Sequence, residues 1–419
     1  MSRLFYQVGI NAYTLLLHGV SPFHAKAKKM IAGRQHLFTE IETALAKNKE
    51  PIIWFHCASL GEFEQGRPVL EKITADYPQY RIFLTFFSSS GYEVRKNYSG
   101  ADFIYYLPLD SPANARQFLD LVKPEVAFFI KYEFWYNYLS ELKQRQIPTF
   151  SISAIFRPNQ LFFKSYGSFY RTLLHSFTHI FTQNQTSAGL LVSAGIKHIT
   201  VAGDTRFDRV LQTAAMVKNI PIVEAFKKDK PIFVIGSSWP QDMEVLLPFV
   251  QKWAVQVKFI IAPHEIHEHE IVALAEKFSG RAVRFSHIEQ QNPENFSVLI
   301  IDNIGMLGSL YAFGDYAYIG GAFGKGLHNT LEAAVFGLPL FFGPHYQKFQ
   351  EAIDLVSSGV AFPIRSTAAL DEAFSRIFAD DNLYQTVSGQ AKKYVIEQAG
   401  ATNIILKHVQ PWLQQVLKA

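Results

Sequence analysis

The strongest constraint on this chain is a rhythm. Short apolar runs rich in β-formers recur at 52–56, 82–87, 103–107, 126–130, 149–152, 179–182 and 199–201. Most lead into a turn and then a stretch of helical period, as at 111–122 and 135–144. Runs of this kind are strands buried on both faces, and an intervening helix brings the chain back to lay the next strand parallel. The rhythm weakens between Asp204 and Pro231, where the charged segment VEAFKKDKP reads as an inter-domain connection. It restarts at 233–236, 259–262, 282–285, 298–301, 316–320 and 340–342, with helices expected at 242–253, 267–278, 305–313, 349–357, 368–378 and 383–397. A length of 419 residues leaves room for two domains of ordinary size. The expectation is an α/β fold of two Rossmann-like domains, 26–212 and 213–402, facing a cleft. The tail, 403–419, is helical in composition but broken by Pro411.

Composition removes several function classes. A hydrophobic content of 48% with 37 Phe excludes a disordered chain. The net charge of +4, without a long Lys/Arg run or zinc spacing, gives no support for nucleic acid as a partner. A single cysteine, Cys57, excludes a disulfide framework and suits a small buried hydrophobe. The N-terminus stands apart: no acid precedes Glu40, while Arg3, Lys26, Lys28, Lys29 and Arg34 are basic. Between them, residues 4–20 are apolar and aromatic but interrupted by Gln7, Asn11 and His18. A membrane span needs about 20 mostly apolar residues, so this segment is too short and too polar to cross. Its apolar core at 13–17 is too brief for a signal peptide. Residues 1–25 are therefore expected to form an interfacial anchor, with Phe5, Tyr6 and Tyr13 at the headgroups and the lysines facing anionic lipid. A helix docked on the protein's own surface is the alternative.

Two stretches carry candidate chemistry. In YAYIGGAFGKGLHNTLEAAVFGLPLFFGP, an expected strand meets a loop containing Gly320, Gly321, Gly324 and Gly326. An expected helix at 328–336 follows, stopped by Gly337 and Pro339. Backbone N–H groups and a helix dipole converging at a glycine loop suit a nucleotide phosphate. Equally, Asn329 and Glu332 have the spacing of a capping pair that only tidies a helix end. Gly236-Ser237-Ser238, after another strand, is either a second anion pocket or an N-cap. His264, His267 and His269 lie among Glu265, Glu268 and Glu270 in a spacing that reads as a solvated turn rather than a metal site. In the first half, Ser59-Leu60-Gly61-Glu62 places a carboxylate at a sheet rim, although carboxylates also simply stabilise helix N-termini.

These motifs, taken together and in order, resemble one family. G-G, a basic residue, G-x-H-N-x-L-E-A-A and G-P-H in the second half, with His56-x-x-Ser59-x-Gly61-Glu62 in the first, are similar to the 3-deoxy-D-manno-oct-2-ulosonic acid (Kdo) transferases. The resemblance implies a GT-B glycosyltransferase that moves Kdo from CMP-Kdo to a lipid A precursor (lipid IVA), inverting, without a metal, at the cytoplasmic face of the inner membrane. It implies Glu62 as general base, with Glu133 as a second cleft carboxylate. Donor contacts would come from Ser237, Ser238, His264, Gly305, Gly320, Gly321, Lys325 and His328. Asn329 would lie near the phosphate or ribose, Glu332 on the ribose hydroxyls, and His345 and Lys348 near the Kdo carboxylate. Acceptor contacts would fall to Ser59, Gly61, Arg67, Lys131, Arg157 and Lys164. The terminal helix would cross back to the first domain. The chain departs from the pattern at Lys131 (usually an acid), Tyr136 (proline), Ile155 (arginine) and Met306 (glutamate). Two alternatives stay open: a UDP-sugar transferase or epimerase of the same architecture, and a lipid-binding module without turnover.

Overall fold

Alternate side chains of β1 (Ile52–Cys57) supply two cores. Ile52 and Trp54 pack to one side with Phe83, Phe118, Phe129 and Tyr138, while Ile53, Phe55 and Cys57 pack to the other with Phe63, Leu70, Phe128 and Phe150. A strand with no solvent face must have helices on both sides of its sheet. Here β1 is joined by β2 (Arg81–Phe86), β3 (Phe103–Tyr106), β4 (Pro124–Ile130), β5 (Thr149–Ala154), β6 (His179–Thr182) and β7 (Ile199–Val201). The order is β3-β2-β1-β4-β5-β6-β7, parallel throughout. The direction of winding reverses between β1 and β4, and open α/β sheets bind ligands beyond the carboxyl ends of the strands at such a point.

A second parallel sheet holds β8 (Ile232–Ser238), β9 (Lys258–Pro263), β10 (Ala282–Arg284), β11 (Val298–Ile300), β12 (Tyr316–Ile319), β13 (Leu340–Phe342) and β14 (Ala361–Pro363). Its order is β10-β11-β9-β8-β12-β13-β14, with the reversal between β8 and β12. The edge strand β14 was not foreseen; its three residues end in a proline, a residue that sheets tolerate at an edge. Of the sequence, this computed structural model describes residues 3–217 and 219–415; residues 1–2, 218 and 416–419, parts of the expected anchor, connection and tail, lie outside the described residues. The chain divides into two compact units, one running up to Arg209 and resuming at Ala399, the other Val210–Gln398.

Between the sheets the chain forms two helices, Thr205–Ala215 and Pro221–Lys227. Two local expectations are corrected. Pro411 does not break the tail: one helix runs Ala401–Gln415, with Ile405, Val409 and Leu413 fully buried on the first sheet. Burying three such side chains is worth about 1.5–3 kcal/mol each, against about 3 kcal/mol for an interior proline, so packing wins. The expected helix at 328–336 shrinks to Leu331–Ala334.

The N-terminal helix, Arg3–Val20, belongs to the first unit. Among the described residues, no helix is long and apolar enough to cross a membrane. Leu4, Phe5, Val8, Leu15, Leu16 and Val20 are exposed, while Tyr6, Gln7, Ile10, Thr14 and Leu17 face the protein. Tyr6 is thus not at the outer surface, as expected of a headgroup residue, but donates its O–H inward to Asp110 at 2.6 Å. Nor does Arg34 face outward. Its guanidinium reaches the carbonyls of Met30, Phe87 and Leu107 beside the rings of Phe87 and Tyr106, and burial lowers its pKa to about 10. Lys26, Lys28 and Lys29 remain exposed.

Candidate active site

At the β1–β4 reversal two carboxylates approach one another. β1 ends at Cys57, Ser59 starts the helix Leu60–Asp76, and Glu62 falls in its first turn. Glu62 Oε2 accepts the N–H of Ala58 at 2.6 Å. Burial, and after it the charge of Glu133, push the Glu62 carboxyl up to about 7, against the opposing pull of the Ala58 N–H and the Lys131 cation. Glu133 follows β4 and is itself buried. Its Oε2 accepts His56 Nε2 at 2.9 Å and the Trp135 indole N–H at 2.5 Å. Behind His56 the chain of bonds continues through Nδ1 to Thr85 Oγ1 at 2.9 Å, and Trp54 donates to the same oxygen at 2.8 Å. The Thr85 hydroxyl also reaches the Phe55 carbonyl at 3.4 Å, so the chain of bonds runs from Glu133 through His56 into the strand behind it.

Backbone strain marks the same rims. Lys131 has φ +67°, Ser153 on β5 has φ +53°, and Ser237 on β8 has φ +52°. Left-handed backbone at residues other than glycine is held at about 1–3 kcal/mol each, and it clusters at functional sites.

At the β8–β12 reversal the second unit gathers rings and a cation instead. Trp239 and His264 stack at 4.5 Å, His264 and His328 stack at 4.3 Å, and Trp239 Nε1 donates to His328 Nε2 at 3.1 Å. Lys325 Nζ lies 4.6 Å from the Trp239 ring. Burial holds both imidazoles below the usual histidine range, His328 at about 4, so both are neutral at pH 7. The carboxylate of Asp242 ties the floor together, accepting Trp239 N–H at 2.8 Å, Gly321 N–H at 2.9 Å and Tyr318 O–H at 2.8 Å. The Ser238 hydroxyl is buried without a hydrogen-bond partner.

The glycine loop works differently from its sequence reading. The Gly320 N–H donates to Gly236 O at 2.8 Å and that of Gly321 to Asp242, so neither amide is free for a phosphate. Gly320 is required by crowding, since a Cβ there would stand 2.1 Å from Ser237 O. The following helix has only four residues, and its dipole is correspondingly small. Asn329 is not the helix N-cap, which is Thr330, but it does tidy the helix start: its Oδ1 accepts Leu331 N–H at 3.2 Å and its Nδ2 donates to Glu332 at 2.9 Å.

The remaining expected residues fall into three groups. Ser59, Gly61 and Lys131 border Glu62, and a Cβ on the exposed Gly61 would meet nothing within 4 Å. Arg157 stands beside Tyr132, whose ring is 5.2 Å from Lys131 Nζ, whereas Lys164 lies further along the chain beyond Phe162. Arg67 is not part of this cluster: it bonds Glu71 at 2.7 Å and Glu64 at 3.5 Å beside Phe63 and Tyr98. In the second unit, His345 and Lys348 are exposed after β13, and His345 N–H donates to Ala322 O in the glycine loop. Gly305 has φ +97° on an exposed turn. Trp135, Trp239 and Asp242 were not assigned roles from sequence. Only Trp239, an aromatic directly after Gly-Ser-Ser, offered a usable signal.

Two parallel α/β sheets, each with polar groups gathered at its carboxyl rim, define a protein of the GT-B fold. The UDP-GlcNAc 2-epimerase of Neisseria meningitidis matches with a TM-score of 0.62 at 15% identity, covering 86% of this chain and 100% of that one. The MurG protein of Acinetobacter baumannii matches at 0.55 and 13%, covering 86% and 99%. Residues 33–209 match the family model described as 3-deoxy-D-manno-octulosonic-acid transferase (kdotransferase). The 3-deoxy-D-manno-octulosonic acid transferase of Haemophilus influenzae is 26% identical over 376 residues, 87% of each chain. That of Bordetella pertussis is 24% identical over 434 residues, covering 97% of this chain and 100% of that protein. The chain is similar to the Kdo transferases along most of its length, and these relatives make it a glycosyltransferase.

Proposed function

We propose that this enzyme transfers Kdo from CMP-Kdo to a lipid A precursor in lipopolysaccharide biosynthesis, with lipid IVA as acceptor and with inversion at the anomeric carbon. The observation that carries the mechanism is Glu62, a rim carboxylate whose pKa is pushed to about 7 by burial and by Glu133. A base poised there is about half ionised at neutral pH and retains proton affinity. The acceptor hydroxyl gives its proton to Glu62 as its oxygen bonds to the anomeric carbon. The bond from that carbon to CMP breaks on the opposite face, and CMP leaves with the electron pair.

The rings of Trp239, His264 and His328 form the platform for the donor's nucleotide. Because both imidazoles are neutral, positive charge for the phosphate and the Kdo carboxylate falls to Lys325 and Lys348. Glu332, bonded to Asn329, is the ribose acceptor in this reading. No step is assigned to a metal. The exposed row Leu4, Phe5, Val8, Leu15, Leu16 and Val20, with Lys26, Lys28 and Lys29 beyond it, seats the protein on an anionic membrane surface, the cytoplasmic face of the inner membrane.

Product mass after incubation with CMP-Kdo and tetraacyl lipid A precursor tests the reaction, and full activity in excess EDTA tests metal independence. The fold is shared with enzymes of UDP-sugars. Inhibition by UDP but not by CMP would therefore favour that second reading. Absence of CMP release in the presence of acceptor would favour a lipid-binding module. Loss of sedimentation with anionic vesicles on Leu15→Ser/Leu16→Ser substitution tests the seating.

A further inference from the structure

The helix Tyr136–Gln144 begins directly behind the loop that carries Glu133 and Trp135, and its first turn is capped by residues distant in sequence. Every α-helix leaves its first N–H groups without partners inside the helix. Here the Asn137 and Tyr138 N–H groups donate to the two carboxylate oxygens of Asp110, each at 3.2 Å. The Tyr136 N–H donates to the hydroxyl oxygen of Tyr6 at 3.2 Å, and Tyr6 in turn donates to Asp110 at 2.6 Å. Asn137 Nδ2 bonds Asp110 O at 2.8 Å and reaches Gln7 Oε1 at 3.4 Å. The Tyr6 ring also packs on Tyr136 at 5.5 Å and on Phe169 at 6.0 Å.

The N-terminal helix reaches the acidic loop a second way. Tyr13 packs on Phe87 at 6.1 Å, and Phe87 stacks at 4.6 Å on Trp135, the residue whose indole holds Glu133. The helix thus presents apolar residues outward on one face and, on the other, places Tyr6 in the cap behind the loop. A helix serving only as an anchor has no use for a half-buried tyrosine hydrogen-bonded on its inward side.

We propose that the N-terminal helix is a positioning element of the transferase site: Tyr6, bridging Asp110 and the Tyr136 amide, fixes the loop that holds Glu133 beside Glu62. This rests on Glu62 acting as base. Tyr6 acts through Glu133 and touches no substrate itself.

The test is Tyr6→Phe, which removes one oxygen and keeps the ring packing. Assays run in detergent, with acceptor in micelles, so that attachment to a membrane is not limiting. The expected result is a fall in kcat of about 5–20-fold with the acceptor KM nearly unchanged, a loss of the order expected when one buried hydrogen bond is removed. Glu62 faces the charges of Glu133 and Lys131, with Tyr132 and Cys57 nearby. As Glu133 recedes, the acid limb of the kcat/KM profile should move to lower pH.

A double-mutant cycle with Glu133→Gln separates positioning from general destabilisation, because residues acting through one another are non-additive. In the Glu133→Gln background, Tyr6→Phe should cost less than 2-fold. Equal losses in both backgrounds overturn the proposal, as does a Tyr6→Phe enzyme with wild-type kcat and an unmoved acid limb. Should Tyr6→Phe unfold, Asp110→Asn, which keeps an oxygen for the helix amides, enters the same cycle. Glu62→Gln is run alongside: if its acid limb persists, the base assignment fails, while the Tyr6–Glu133 cycle on kcat still decides the coupling.

Discussion

The two sheet rims solve different electrostatic problems with the same geometry. At the β1–β4 reversal, two carboxylates and a lysine are crowded together, and one carboxyl is pushed far from its usual pKa. At the β8–β12 reversal, the histidines are neutral and stacked on a tryptophan, and the carboxylate of Asp242 accepts three hydrogen bonds. Like charges held close store proton affinity, which suits a group that must accept a proton during reaction. Neutral rings over a fully bonded floor store no such affinity, and suit a surface that only has to hold a planar base. On the proposed reading, chemistry belongs to the first rim and donor affinity to the second.

The sharpest way to break this division is to remove a group from each rim. Glu62→Ala should lower kcat by about 100-fold or more at unchanged donor KM, because general base catalysis is worth roughly that much. A variant retaining over a tenth of the wild-type rate would end the base assignment. Trp239→Ala should do the reverse. It should raise the KM for CMP-Kdo about 10-fold, roughly 1.4 kcal/mol, with a much smaller effect on kcat, and Trp239→Phe should recover part of the loss. If Trp239→Ala instead acts only on kcat, the second rim is not a passive platform.

A finer test moves the charges around Glu62 rather than Glu62 itself. If Glu62 is the base it must be ionised, so on the proposed mechanism kcat/KM should rise with pH through the Glu62 pKa, near 7. Glu133→Gln removes a like charge, which lowers that pKa and shifts the acid limb to lower pH. Lys131→Met removes an opposing charge and shifts the limb upward. The shift at Glu133 should be the larger, since Glu133 perturbs Glu62 more strongly than Lys131 does. Limbs that stay in place in both variants would assign the titration to another group.

The rims also differ in how far the sequence revealed them. The strands were legible because burial on both faces leaves continuous apolar runs, and thirteen of the fourteen appeared at or near their expected positions. Glu62 and Glu133 were legible because the residues around them follow a recognisable pattern. What those residues bond to was not. Asp110 and Tyr6 cap a helix that begins 26 and 130 residues further along, and no local signal announces such a partner. The glycine loop misled for a related reason. Glycine permits close approach, but composition cannot say whether the approaching group is a phosphate or, as for Gly320, the Ser237 carbonyl. The left-handed backbone at Lys131, Ser153 and Ser237 is likewise imposed by tertiary packing on residues that do not favour it.

The smallest effect concerns stability, and its sign follows from linkage. The folded pKa of Glu62, about 7, lies above the ordinary value of 4.5. Between these two values the folded protein binds more protons at this site than the unfolded chain does, so stability is lost as pH rises through that window. Above it, the folded protein carries an ionised carboxylate where burial and Glu133 disfavour one. Glu62→Gln removes that charge. It should leave the unfolding free energy nearly unchanged at pH 4 and raise it by about 1–3 kcal/mol at pH 8, less any screening by solvent at this partly exposed rim. Denaturant unfolding at the two pH values measures the difference directly. The corresponding change in the second unit, His328→Gln, acts in the opposite direction. Burial holds the folded imidazole at about 4 against an ordinary 6.5, so the unfolded chain binds more protons between these values. The substitution should raise the unfolding free energy by about 1–2 kcal/mol at pH 5, less screening by solvent, and leave it nearly unchanged at pH 8. If instead His328→Gln raises the unfolding free energy at pH 8 and Glu62→Gln raises it at neither pH, the store of proton affinity lies on the second rim, and the division of labour between the rims is reversed.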